Sequence, residues 1–186
     1  MIGKEKLKEI LLSNGEFISN QVKDIVKREN IRLPEKLNKV IILYGVRRSG
    51  KTFTLFDLFK MYKDTSLYID FEDDRLLNFQ PDEFEILKEA FLELNPGLLN
   101  RKKKFFLDEI QNIKDWEKFC RRAVEKENID VFVAGSSSKI MPLEVHTSLR
   151  GRTWSIEMTT FSFREYFFWR KFYLWFREDN NKKTFF

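Results

Sequence analysis

Residues 45–52 read GVRRSGKT, and the five residues before them, 40–44, read VIILY. A short apolar run of this kind is a buried strand, and G-x-x-x-x-G-K-[ST] after it is a phosphate-binding loop that opens a helix. The chemistry follows from the residue types. Gly45 and Gly50 let the backbone approach an anion closely, and the backbone N–H groups of Val46, Arg47, Arg48, Ser49 and Phe53 are available to α- and β-phosphates at the positive end of the following helix. Lys51 reaches the β- and γ-phosphate oxygens, and Thr52 offers its hydroxyl to Mg²⁺. The side chains of Arg47 and Arg48 read equally well as phosphate or partner contacts and as a solvated face.

Outward from the loop the chain alternates between strands and helices. A helix is expected over 51–62, a strand over 66–71, a helix from Pro81 to Leu94 ended by Asn95-Pro96-Gly97, and a strand over 104–107. A helix over 116–126 and strands over 130–134 and 152–158 complete the series. Such alternation implies an α/β fold, a parallel sheet sandwiched between helices with right-handed crossovers. Ahead of the first strand, 4–12 and 20–28 have helical spacing, with Asn14-Gly15 as a stop between them and Leu33-Pro34 closing the second. The reading divides the chain into a helical lead-in (1–38), a core (39–160) and an aromatic-rich segment (161–186).

The third strand ends in acids: FFLDEIQ at 105–111. Apolar residues bury such a strand, and the acids emerge at its carboxyl end, where ligands bind in an open α/β sheet. Asp108 is the expected Mg²⁺ holder, and Glu109 the base that orients and deprotonates an attacking water. At the end of the next strand Ser136 suits contact with a γ-phosphate or water; as a helix N-cap it would serve a second role that does not exclude the first. The three acids of Glu72-Asp73-Asp74-Arg75 would repel one another at a second metal site's distance unless they are solvated or paired.

Composition narrows the function. With 42% hydrophobic and 34% charged residues in 186, the chain is globular. One cysteine, Cys120, and one histidine, His146, leave no internal disulfide and no Cys/His zinc cluster. No stretch has the length of a membrane span and the start lacks a signal-peptide core, which points to the cytoplasm. A net charge of +5 permits nucleic-acid partners without requiring them, and the basic run 101–104 reads best as a solvated loop.

Six stretches in order, GVRRSGKT, YIDFEDDRL (68–76), FFLDEIQNIKDWEKF (105–119), VAGSSSKI (133–140), LRGRT (149–153) and FSFREYF (161–167), resemble the archaeal and bacterial AAA-like P-loop ATPases described by the domains AAA_14 and DUF4143. The resemblance covers about 38–170. It implies an additional-strand, catalytic-glutamate ATPase with strand order 5-1-4-3-2, using ATP and Mg²⁺. Gly45, Gly50, Lys51 and Thr52 then bind phosphates, Asp108 and Glu109 form the acidic pair, and Ser136 is the sensor. Gln111 positions water or reports nucleotide state, or is a surface residue. Arg152 matches the family's GR element as a sensor in cis or a finger from a neighbouring subunit, or it pairs with an acid such as Glu72 or Asp73. No guanine-reading N-K-x-D element occurs, which disfavours GTP.

Members of the family run on further after FSFREY, and it is beyond that stretch that this sequence departs from their pattern; residues 161–186 read as a segment of unusual aromatic density. They hold twelve aromatics, eight Phe, two Tyr and two Trp. This density suits packing on the core or on a C-terminal domain before it suits an oligomer interface, and nucleic acid or a membrane surface least.

Overall fold

The computed structural model describes residues 2–20, 22–23, 25–29, 31–33, 39–136, 140 and 142–170, of which 142–144 by backbone alone. The expectations for 171–186 and for a stop at Pro34 lie outside these residues.

Among the described residues five strands form one parallel sheet: β1 (Val40–Gly45), β2 (Ser66–Asp70), β3 (Lys103–Asp108), β4 (Ile129–Ser136) and β5 (Thr153–Glu157), in the order β2-β3-β4-β1-β5. This is the expected 5-1-4-3-2 arrangement read from the other edge. The inner strands are apolar along their middles because each face is covered there, and strand alternation divides their side chains between two cores. Val40, Ile42, Leu67, Ile69, Phe105, Leu107, Val131 and Val133 enter one core. It is filled from α1 (Lys4–Asn20), α3 (Glu83–Leu94) and α4 (Trp116–Lys126), with Phe84 stacked on Phe119 at 4.2 Å. Ile41, Leu43, Tyr68, Phe106, Phe132 and Ala134 enter the other, against Leu55, Phe56 and Phe59 of α2 (Lys51–Met61). A short α5 (Pro142–Ser148) and a helix over 163–170, here α6, follow.

Two expectations at the amino end are corrected. Asn14-Gly15 does not stop a helix: α1 runs through it to Asn20. Glycine inside a helix costs about 1 kcal/mol. Here packing beyond it outweighs that cost, since Ile18 is fully buried in the second core and the Asn14 side-chain amide donates to the Tyr68 carbonyl at 3.4 Å. The second helix, expected over 20–28, is absent among the described residues, where 22–23 and 25–29 are irregular. Their contacts are with side chains and loops elsewhere: Lys60 donates to the Val22 carbonyl, and Arg28 bonds the phosphate loop.

Candidate nucleotide site

The parallel sheet delivers Gly45, Asp70, Asp108 and Ser136 to one edge, its carboxyl edge, as strand ends. Gly45 pairs with Ser136, and Asp70 with Asp108. At Gly45 a side chain is impossible, because a Cβ there would lie 2.1 Å from the Met158 carbonyl oxygen. Arg48 and Gly50 take left-handed backbone, with φ of 64° and 91°, and turn the loop back so that α2 starts at Lys51 with its first N–H groups facing the loop.

Lys51 is buried, and its Nζ donates to the carbonyls of Gly45 at 3.1 Å and Val46 at 2.9 Å. Burial lowers its pKa, opposed by the charges of Glu109 and Asp108. The Ser49 hydroxyl is buried without a hydrogen-bond partner. Arg47, Arg48 and Phe53 are exposed and line, with Gly50, Lys51, Thr52 and Glu109, a cavity of about 990 Å³.

Asp108 is 1% exposed. The Tyr68 hydroxyl donates to its Oδ2 at 3.1 Å. Burial pushes its carboxyl up to about 6 against the influence of the nearby Thr52 and Tyr68 hydroxyls, with Asp70 adding to the rise. The folded chain therefore holds a proton at pH values where the unfolded chain, near 3.9, has released it, and stability falls as pH rises from about 4 to 6. Asp108→Asn should accordingly be more stable than the wild type at pH 7.5 in metal-free buffer, by up to roughly 2 kcal/mol. The gain should vanish as pH approaches 4; thermal unfolding at the two pH values checks this, and an equal gain at both would refute it.

Glu109 has φ of 46°, a left-handed conformation uncommon for a residue with a side chain and typical of functional turns. Gln111 donates from Nε2 to the Glu109 carboxylate, while its Oε1 is buried against the β4 backbone without a partner. That packing requires Gly135, where a Cβ would lie 2.1 Å from Gln111 Oε1 and 2.3 Å from Ile140 Cδ1. Gln111 is half-buried, with its amide turned toward Glu109 and β4.

Arg152 does not join these groups. It precedes β5, and its carbonyl accepts from Val40 N at 2.9 Å, at the amino edge of the sheet and about 16 Å from Gly45 by strand rise. Its guanidinium pairs with Glu125 of α4, not with Glu72 or Asp73, so a phosphate contact in cis is corrected. Asp73 instead pairs with its neighbour Arg75 at 2.6 Å, a pairing within that acidic stretch.

Two residues absent from the sequence reading sit at the loop. Arg28 donates from Nη1 to the Ser49 carbonyl at 2.5 Å, from Nη2 to the Thr159 carbonyl at 2.7 Å and from Nε to Glu165 at 2.9 Å. Glu165 also accepts from Ser162 N at 2.8 Å while Ser162 Oγ accepts from Glu165 N at 3.1 Å, a reciprocal capping box at the start of α6. Burial pushes the Glu165 carboxyl up, but the N–H groups of Ser162 and Glu29 and the Arg28 guanidinium together hold it below the usual carboxylate range. The S-x-x-E spelling at 162–165 was the available signal.

The AAA_14 profile, described as an AAA domain, matches residues 37–167. An uncharacterized protein of Methanocaldococcus jannaschii is 41% identical over 175 residues, 92% of this chain and 37% of that protein. One of Haemophilus influenzae is 31% identical over 132 residues, 67% of this chain and 32% of that protein. The chain thus spans about a third of the length of these curated relatives. A solved RuvB mutant of Thermotoga maritima is similar at TM-score 0.45 and 16% identity, over 89% of this chain and 49% of that one.

Proposed function

Since the chain belongs to the AAA_14 family of AAA domains, which carries ATPase-type nucleotide binding, we propose that it binds ATP with Mg²⁺ and hydrolyses it, coupling turnover to a substrate outside this segment. The supporting observation is convergence: Lys51, Thr52, Asp108, Glu109 and Ser136 come from two strand ends and one helix start to a single edge.

The donor set fits the expected ion. The Thr52 hydroxyl lies close enough to the buried Asp108 carboxylate to favour its charged form, and a hydroxyl with one carboxylate is a protein contribution to Mg²⁺ in a site completed by phosphates and water. Bound there, Mg²⁺ would neutralise phosphate charge. Lys51 exchanges its loop carbonyls for β- and γ-phosphate oxygens, and the N–H groups of 46–53 hold the remaining oxygens. Glu109 takes the proton of the attacking water, and Gln111 fixes the direction of its carboxylate. Ser136, beside Gly45, contacts the γ-phosphate or that water. Arg47 and Arg48 add positive charge at the cavity mouth. Arg152, at the far edge, acts on phosphate only as a finger offered to a neighbouring subunit, so that role requires a homo-oligomer. Adenine is proposed from family membership.

A second reading has its own support. Gln111 engages the Glu109 carboxylate, which suits a nucleotide-binding switch of low turnover. Tight ATP binding without phosphate release would select it. An ATP-dependent nucleic-acid protein rests only on the charge of +5. DNA binding that weakens steeply with salt and speeds hydrolysis would support that reading, and absence of both would remove it. Among the described residues no helix is long and apolar enough to cross a membrane, and a cytoplasmic location remains part of the proposal.

A further inference from the structure

The nucleotide cavity has a wall that the phosphate loop does not supply. Phe161 and Trp169 line it together with Val26 and Arg28, and the two rings are 50% and 39% exposed. Aromatic faces of this kind suit a flat heterocycle, whereas the loop suits phosphates. Neither ring belongs to the sheet or to the loop. Both sit in the segment after β5, and their position depends on what fastens that segment.

The fastening is Arg28. A guanidinium presents its donors as a rigid planar fork, and Arg28 spends one nitrogen on each of three elements: the phosphate loop at Ser49, the strand exit at Thr159 and the first turn of α6 at Glu165. Its Cζ lies 4.9 Å from the centroid of Phe161. Contact with the loop is close, since a Cβ on Gly50 would stand 3.2 Å from Arg28 Nη1. The Arg28 and Glu165 side chains are 8% and 3% exposed, and Glu165 also accepts from Glu29 N at 3.1 Å, tying the amino-terminal segment to the same carboxylate. In a buried pair, loss of one partner strands the other charge, so the three elements move together or not at all.

We propose that the Arg28–Glu165 pair is a latch joining the phosphate loop to residues 159–170, so that Phe161 and Trp169 stack the base of the bound nucleotide and base binding and seating of this segment strengthen each other. The proposal rests on the reading of this cavity as a nucleotide site. Arg28 and Glu165 are positioning residues, and Phe161 and Trp169 are the contacts. The coupling is reciprocal by linkage: whatever unseats the segment weakens nucleotide binding by the factor with which nucleotide seats it.

The test compares two probes, Mg²⁺-ATP and Mg²⁺-tripolyphosphate, the second lacking a base. In the wild type ATP should bind on the order of tenfold or more tighter than tripolyphosphate. It should also change tryptophan fluorescence, and the change should be missing in Trp169→Phe. Glu165→Gln and Arg28→Lys should lower ATP affinity more than tripolyphosphate affinity and abolish the fluorescence response. Phe161→Ala removes a half-exposed ring and its contact with the Arg28 guanidinium but none of the hydrogen bonds of Arg28, and it should reduce the preference for ATP while tripolyphosphate binding is kept. Equal affinities of the wild type for the two probes, or a full Trp169 response in Glu165→Gln, would overturn the latch while leaving the nucleotide site standing. Failure of both probes to bind the wild type would remove the nucleotide reading and the latch with it.

Discussion

Glu109→Gln should bind Mg²⁺-ATP as tightly as the wild type and release phosphate roughly 100- to 10,000-fold more slowly. The amide keeps the size and the hydrogen-bonding reach of the carboxylate but cannot accept the proton of an attacking water. The left-handed turn that aims residue 109 belongs to the backbone, with its N–H bonded to Asp108 Oδ1 at 3.0 Å, and survives the substitution. Gln111 faces the same atom position whether it meets carboxylate or amide oxygen. Single-turnover phosphate release, measured at saturating nucleotide, separates this loss of chemistry from any loss of binding. A Glu109→Gln chain that hydrolyses ATP at the wild-type rate would show that another group is the base.

Lys51→Ala should act on the other half of the problem and weaken ATP binding by roughly a hundredfold or more. One charge-assisted contact to phosphate is worth roughly 1.5–3 kcal/mol, and Lys51 serves two phosphates at once. The substitution also frees two loop carbonyls, those of Gly45 and Val46, which Lys51 now satisfies. Loss of these bonds falls on the loop rather than on the sheet, whose core is made elsewhere. Calorimetric titration checks the affinity, and an unchanged melting temperature confirms that the fold is intact. Wild-type affinity in Lys51→Ala would place the nucleotide somewhere other than 45–52.

Where local chemistry dictates structure, the sequence was sufficient. The run 40–52 could be read because an apolar strand, two glycines and a lysine permit few other arrangements, and α4 was placed to the residue because Trp116, Phe119, Cys120, Ala123 and Val124 keep helical spacing on one buried face. The strand order came from family resemblance, not from periodicity. Misreadings arose where distant packing overrules local preference. Gly15 looks like a stop until Ile18 is seen buried against α2, and 20–28 looks helical until Arg28 is seen bonded to residues 49, 159 and 165. The latch partners are 137 positions apart, and no spacing rule links them. Arg152 is a different case. In a parallel sheet a residue that precedes a strand lies at the amino edge, opposite the ligands, so its distance from the phosphate loop followed from the strand assignment already made. Gln111 was ambiguous for a third reason: the placement of its side chain depends on the missing side chain of Gly135, a contact between the turn after β3 and the end of β4.

The most direct measurement is phosphate release from Mg²⁺-ATP by the wild-type chain, set beside Lys51→Ala and Glu109→Gln over a range of protein concentration. Turnover by the wild type that both substitutions remove is the expected result, and specific activity rising with concentration would further assign Arg152 to a neighbouring subunit's site. Turnover that persists in both variants, or a wild type that neither binds nor hydrolyses ATP, would contradict an ATPase centred on Lys51 and Glu109.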